Sequence, residues 1–201
     1  MVRNERMKLL IAIPTVDYMH RDFVSSLLAL TGRLHSEGVD FAVRMQGDTL
    51  VYLGRDQLAM HAVSNGFTTV LWLDSDMVFG QDLMELLTQS GEEFVTAIAV
   101  GRRPPHRSCL FSSLDPPERV TDYPGELFEV EACGFGCVLI ETHILAECLV
   151  QYQTCFFPER TLGEDLSFCR RAREMGYRIH AEPRAVIGHI GHKAIYPEGR
   201  T

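Results

Sequence analysis

Two carboxylates one residue apart, Asp74 and Asp76 around Ser75, end the apolar run Val70-Leu71-Trp72-Leu73. In extended backbone, residues i and i+2 point to the same side. Both acids therefore face one way at the carboxyl end of a buried strand, where open α/β sheets bind ligands. Hard anionic oxygens suit Mg²⁺ or Mn²⁺ better than a soft metal, and two of them leave coordination positions open for phosphate oxygens. Asp and Ser also build plain polar turns at strand ends, and a lone D-x-D does not separate these two uses.

Further candidates lie downstream. Gly163-Glu164-Asp165 opens an amphipathic pattern over 164–175. Acids in a first helical turn suit the helix dipole, and a carboxylate in a cleft can also take a proton from an attacking hydroxyl. Glu164 and Asp165 are adjacent and point in different directions, so one of the two is the candidate base. His189-Ile190-Gly191-His192 offers two imidazoles, common ligands of first-row metals. A His joining two Asp suits Mn²⁺. Arg55 opens a helical pattern ahead of the acidic strand. It reads either as a phosphate clamp or as a solvated helix-end charge. Arg102, Arg103 and Arg107 lie in a Pro- and Ser-rich stretch, where they fold over a diphosphate or simply keep the segment solvated. Gly134 and Gly136 neither follow the first strand nor open a helix, which excludes a dinucleotide-binding fingerprint.

The elements that must position these residues follow from hydrophobic patterning. Residues 8–13 and 70–73 are continuous apolar runs, as in strands buried on both faces. Further strands are expected at 39–45, 94–100, 127–140 (two strands, or one bent at its glycines) and 177–187. Helices are expected over a stretch capped by Asp22 and stopped by Gly38, then at 55–65, 81–90, 142–149 and 164–175, with Gly66 in a left-handed C-cap. Apolar strands alternating with helices predict an α/β fold, with a mostly parallel central sheet covered on both faces. Residues 101–125 break this rhythm and read as a long flexible loop, and the tail after 187 reads as mostly loop.

The 201 residues carry 27 acidic and 19 basic side chains, a net charge of −8, and are 46% hydrophobic. One domain with a full-sized core is expected. An acidic balance argues against a nucleic-acid binder. No apolar run has the length of a membrane span, and Pro14 and Asp17 fit a signal peptide poorly. The expected location is therefore cytoplasmic. None of the six cysteines forms a C-x-x-C pair, so they read as buried, reduced thiols.

Taken in order, these pieces resemble the nucleotide-diphospho-sugar transferase fold known as GT-A, most like family-2-type glycosyltransferases. The resemblance spans nearly the whole chain. It rests on the opening strand ending in Pro14-Thr15, on Arg55, on VLWLDSDM, on CGFGCVLI, on GEDLSFCRRAREMGYRI and on His189. It implies a single-domain Rossmann-like fold, with 1–100 as the nucleotide-sugar-binding half and 126–201 as the acceptor and catalytic half. It implies that Asp76 binds Mn²⁺ or Mg²⁺ directly, that Asp74 and Ser75 face the nucleotide, and that His189 completes the metal site with His192 as its rival. Pro14, Thr15 and Asp17 would hold base and ribose, with Gln46 or Asp48 doing likewise. Arg55, Arg102 and Arg103 would meet the diphosphate. Asp165 would be the base. Where the family commonly has Arg-Asn, this chain has Arg55-Asp56, and Arg44-Met45-Gln46 stands where an acid usually closes the second strand.

The expected activity is transfer of a sugar from a UDP- or GDP-sugar to an acceptor hydroxyl, with inversion resting on Asp165 alone. Two other readings stand beside it. One is a metal-dependent nucleotidyltransferase or hydrolase, against which the post-strand segment PTVDYMHRD argues because it lacks a Gly-rich basic loop. The other is a non-catalytic relative that binds a nucleotide sugar.

Overall fold

The computed structural model describes residues 7–15, 18–159, 161–191 and 194–196. Asp17 and His192 therefore lie outside the described residues. In chain order the elements are β1 (Lys8–Pro14), α1 (Arg21–Ser36), β2 (Asp40–Gln46), α2 (Val51–Ser64), β3 (Thr69–Leu73), β4 (Met77–Val78) and α3 (Leu83–Thr88). There follow β5 (Phe94–Ile98), β6 (Leu110–Leu114), β7 (Pro117–Arg119), β8 (Phe128–Val130), β9 (Ala132–Cys133) and β10 (Cys137–Glu141). The chain continues through α4 (Thr142–Tyr152), α5 (Glu164–Glu174), β11 (Ile179–Val186), β12 (Gly188–Ile190) and β13 (Ala194–Ile195).

Seven strands form the central sheet in the order β2-β1-β3-β10-β5-β11-β8. β1 is parallel to β2 and β3, and β5 is parallel to β11. β10 runs antiparallel between β3 and β5, and β8 is antiparallel to β11. Five strands thus share one direction, as the apolar runs predicted. β10 comes from the second half of the sequence yet sits between strands of the first, so the two halves share one sheet.

Strand alternation divides the core. Leu9, Ile11 and Ile13 of β1 face Phe23, Leu27, Leu30 and Leu34 of α1 and Leu83 and Leu87 of α3. Leu10 and Ala12 face the other way, with Leu58 and Ala62 of α2, Ile144 and Leu145 of α4, and Phe168 of α5. Both faces are covered, which is why these strands carry no polar alternation.

Several local expectations are revised. Asp22 does not cap α1. His20 does, its Nδ1 accepting from the Asp22 backbone N–H at 3.2 Å. Arg55 lies in the second turn of α2, which begins at Val51. Residues 101–125 are not a structureless loop, because β6 and β7 pair as an antiparallel hairpin and β6 also pairs with β9. The Pro- and Ser-rich composition hid two short strands that pair with each other, one of which also pairs with β9 outside the segment. The tail also pairs, with β12 between β4 and β13. Gly66 takes φ 66°, as its C-cap reading required. Among the described residues, no helix is long and apolar enough to cross a membrane.

Candidate active site

The parallel strands β1 and β3 end side by side, and the backbone beyond them opens a cleft of ≈ 680 Å³. A volume of this size suits a small-molecule ligand. Pro14, Thr15, Gln46, Arg55, Asp74, Ser75, Asp76, Arg102 and Glu164 all line it. Of the remaining described candidates, Arg103 is exposed and outside the lining, Asp165 is not on the wall, and His189 is outside the lining although its neighbours Ile190 and Gly191 belong to it.

Asp74 is fixed by its neighbours. Its N–H donates to Gly136 O at 3.1 Å, so the Gly-Phe-Gly segment before β10 packs against the acidic turn. A Cβ at Gly136 would lie 2.6 Å from Met77 Cε, so a side chain there would force the end of the Met77 side chain to shift. Asp74 Oδ1 accepts from Arg55 Nη2 at 2.7 Å. Burial pushes the Asp74 carboxyl up, and the Arg55 charge opposes that rise.

Arg55 is the largest departure from a solvated helix-end charge. It is 2% exposed and sits within 6.0 Å of the ring centroids of Trp72, Phe135 and Phe156. Such faces attract a guanidinium. Its Nε lies 3.7 Å from Glu164 Oε1, so it spans the acids of the β3 end and of α5. Nε and Nη1 make no hydrogen bond within the described chain. Asp56, the next residue, faces away from the cleft. It accepts from the backbone N–H of Cys155 at 2.7 Å and of Phe156 at 2.9 Å, and from the Thr154 hydroxyl. Asp56 thus pins the segment carrying Phe156 beneath Arg55. No local pattern signals this, since its partners are about a hundred residues away.

Asp76 and His189 meet through the small sheet. β12 pairs antiparallel with β4, setting His189 opposite Met77, and the Ile190 N–H donates to Asp76 O at 2.8 Å. His189 Nε2 lies 3.2 Å from Asp76 Oδ2, while Nδ1 lies 3.0 Å from Val100 O. A carbonyl accepts only, so Nδ1 carries a proton and Nε2 is the nitrogen turned to the acid. Burial disfavours charge on both groups, but their pairing outweighs it. The Asp76 carboxyl is held below its ordinary value by His189 and Arg102, and the His189 ring is raised by Asp76. Arg102 Nη1 donates to the same Oδ2 at 2.8 Å from a half-exposed position.

This pair fits a divalent cation. The Nδ1–H to carbonyl contact is the kind of support that orients a ligating imidazole, and the cationic partners at Asp76 Oδ2 mark a point that demands positive charge. Among the described residues, no group of three His, Cys, Asp or Glu side chains gathers with metal-ligand spacing. Asp76 and His189 would be two protein ligands, with oxygens of a bound ligand and water supplying the rest.

Asp165 has its own environment at the start of α5. Its Oδ1 accepts from the Leu166 N–H at 2.9 Å. Burial, together with the neighbouring Glu164 charge, pushes its carboxyl up to about 6. Tyr18, His20, Thr49, Val51 and Gly54 also line the cleft and were missed in the sequence. Tyr18 and His20 carried a signal, since they directly follow the first strand. Thr49 is brought in by the turn between β2 and α2, and Val51 and Gly54 by the first turn of α2.

No protein-family model matches the sequence, and no curated protein is similar to it in a sequence search. The fold is similar to solved structures. One is the crystal structure of A197 from STIV, with a TM-score of 0.63 and 19% identity over 96% of this chain and 91% of that one. Another is the crystal structure of GalNAc-T7 with UDP, GalNAc and Mn²⁺, with a TM-score of 0.54 and 11% identity. That match covers 98% of this chain and 46% of GalNAc-T7, so the chain spans about half that protein's length. At such identities the likeness establishes the fold, which is GT-A-like.

Proposed function

We propose that this single domain is a metal-dependent glycosyltransferase of the family-2 type, moving a sugar from a UDP- or GDP-sugar to an acceptor hydroxyl with inversion. The observation that carries this reading is the contact of His189 with Asp76, which lines one cleft together with Asp74, Arg55 and Glu164. GalNAc-T7, of similar fold, was solved with UDP, GalNAc and Mn²⁺.

In this reading the donor lies along the cleft from Pro14, Thr15 and Gln46 toward Asp76, so residues 1–100 hold most of it. Asp76 and His189 hold Mn²⁺ or Mg²⁺, which supplies Lewis-acid stabilisation of the charge growing on the departing diphosphate. Arg102 leaves Asp76 to meet a phosphate oxygen and so stabilises the same charge. Arg55 keeps Asp74 and Glu164 in place beside the donor. Asp165 takes the proton of the acceptor hydroxyl. With its carboxyl pushed up to about 6, it is mostly ionised at neutral pH yet a stronger base than an ordinary aspartate. Reaching the hydroxyl requires the Glu164-Asp165 turn to shift or the acceptor to enter behind Glu164. Glu164 is the alternative base.

A second reading, a relative that binds a nucleotide sugar without catalysis, draws on Arg102, which already neutralises Asp76. A thermal-shift panel of nucleotides and nucleotide sugars, with and without Mn²⁺, tests both, because a ligand of the native state raises apparent stability by mass action. The transferase reading expects a Mn²⁺-dependent shift with one nucleotide class and slow Mn²⁺-dependent hydrolysis of its sugar. Binding that ignores Mn²⁺ and leaves the donor intact would favour the second.

A further inference from the structure

β2 is the outer strand of the central sheet, and among the described residues nothing pairs with its free edge. An exposed edge is normally blunted by charges or covered. Here Val43 and Met45 are 38% and 43% exposed, and Asp40 and Arg44 are exposed with no ion pair to any described residue.

The backbone fixes which groups look outward. The Thr15 N–H donates to Gln46 O at 2.9 Å, so Gln46 turns its N–H and C=O toward β1. By alternation Arg44, Ala42 and Asp40 do the same, while Met45, Val43 and Phe41 present theirs to the free edge. Side chains alternate as well. Phe41 packs with the α1-side core and Ala42 with the α2-side core, so Asp40 and Arg44 share the face of Ala42.

We propose that the free edge of β2 is a homodimer interface, in which β2 of a second copy pairs antiparallel about a two-fold axis at Ala42. This register sets Phe41 opposite Val43 of the second copy, and both offer outward N–H and C=O groups, so they exchange both hydrogen bonds. Asp40 falls opposite Arg44 of the second copy in a non-hydrogen-bonded pair, where side chains approach most closely. Val39 falls opposite Met45. Each pair is matched: apolar with apolar, acid with base, and alanine with alanine at the axis. An interface of this kind is isologous, so every complementary contact occurs twice. A lone edge charge would repel pairing. Two opposite charges four residues apart reverse under the two-fold and attract.

Analytical ultracentrifugation of the full chain over the micromolar range tests this. The wild type is expected at twice the chain mass. Asp40→Arg and Arg44→Asp are each expected at onefold mass, since each places like charges opposite one another twice. An equimolar mixture of the two is expected to return to twofold mass. One variant then carries arginine at both positions and the other carries aspartate at both, so in the heterodimer every charge meets its opposite. Val43→Pro removes an N–H that faces the free edge, so it leaves the chain's own ladder intact and is also expected at onefold mass. Far-UV circular dichroism identifies any variant that fails to fold, and the remaining variants then carry the test. A wild type at onefold mass throughout, or folded charge variants that stay at twofold mass, would overturn the interface. So would a mixture that remains at onefold mass.

Discussion

Replacing Asp56 with alanine should cost far more stability than the loss of an ordinary helix-surface charge. The carboxylate sits at 9% exposure and accepts three hydrogen bonds from Thr154, Cys155 and Phe156, the last two through one oxygen. Cys155 and Phe156 are fully buried, so their N–H groups would lose their acceptor without gaining water. Each buried donor left unsatisfied costs about 1–3 kcal/mol, for a total of about 3–5 kcal/mol once the Thr154 hydroxyl is included. That is a large share of the roughly 5–15 kcal/mol that holds a typical domain. At about 2–4 °C per kcal/mol for a chain this size, Tm should fall by about 6–20 °C. Asp56→Asn keeps an Oδ1 that can accept from both backbone groups, so its loss should be smaller, on the order of 1–2 kcal/mol. Urea unfolding at neutral pH, followed by circular dichroism, measures both variants. A loss below about 1 kcal/mol for the alanine variant, or equal losses for the two, would refute the idea that this acid pins the segment beneath Arg55.

Asp76→Ala and His189→Ala should each abolish the Mn²⁺-dependent part of any nucleotide-induced thermal shift, and intact metal dependence in Asp76→Ala would defeat the site assignment. The Asp76–His189 pair should stabilise the fold most at mildly acidic pH. The contribution of Asp76, whose carboxyl is lowered, is present above its ordinary range and is lost as pH falls through the lowered value. That of His189, whose ring is raised, is present below its ordinary value and is lost as pH rises through the raised value. A Tm-against-pH profile for wild type minus His189→Ala should show this hump and flatten if the pair is not formed. Mn²⁺ competes with the proton on Nε2, so its affinity should climb with pH through the same region, which isothermal titration at several pH values would read. Transfer activity should rise with pH through about 6 as Asp165 ionises, and Asp165→Asn should remove that limb. A rate independent of pH between 5 and 7 (roughly the span of its ionisation) would exclude Asp165 as the base.

Much of the architecture is written in local patterns. The runs Leu9 to Ile13 and Val70 to Leu73 are apolar throughout because both faces of those strands are covered, and that need is visible in any window of the sequence. The D-x-D turn is legible for the same reason: an abrupt switch from apolar to acidic residues marks a strand end facing solvent. The hairpin in 101–125 was not legible, since its strands, Leu-Phe-Ser-Ser-Leu and Pro-Glu-Arg, are too short to show a pattern and gain their order from partners rather than from propensity.

The sequence by itself determined which side chains are the candidates for chemistry: Asp74, Asp76, Glu164, Asp165, Arg55 and His189, together with a strand-helix order that puts the ends of β1 and β3 at one edge. Only the tertiary structure decided where they stand and what they touch. Arg55 reads either as a phosphate clamp or as a solvated charge until Trp72, Phe135 and Phe156 close around it, and Asp56 has no reading until the segment at 154–156 arrives. His189 meets Asp76 because β12 pairs with β4, across 113 residues of chain. Side-chain type is a local property, whereas burial and partnership depend on which distant segments the packed sheet brings together.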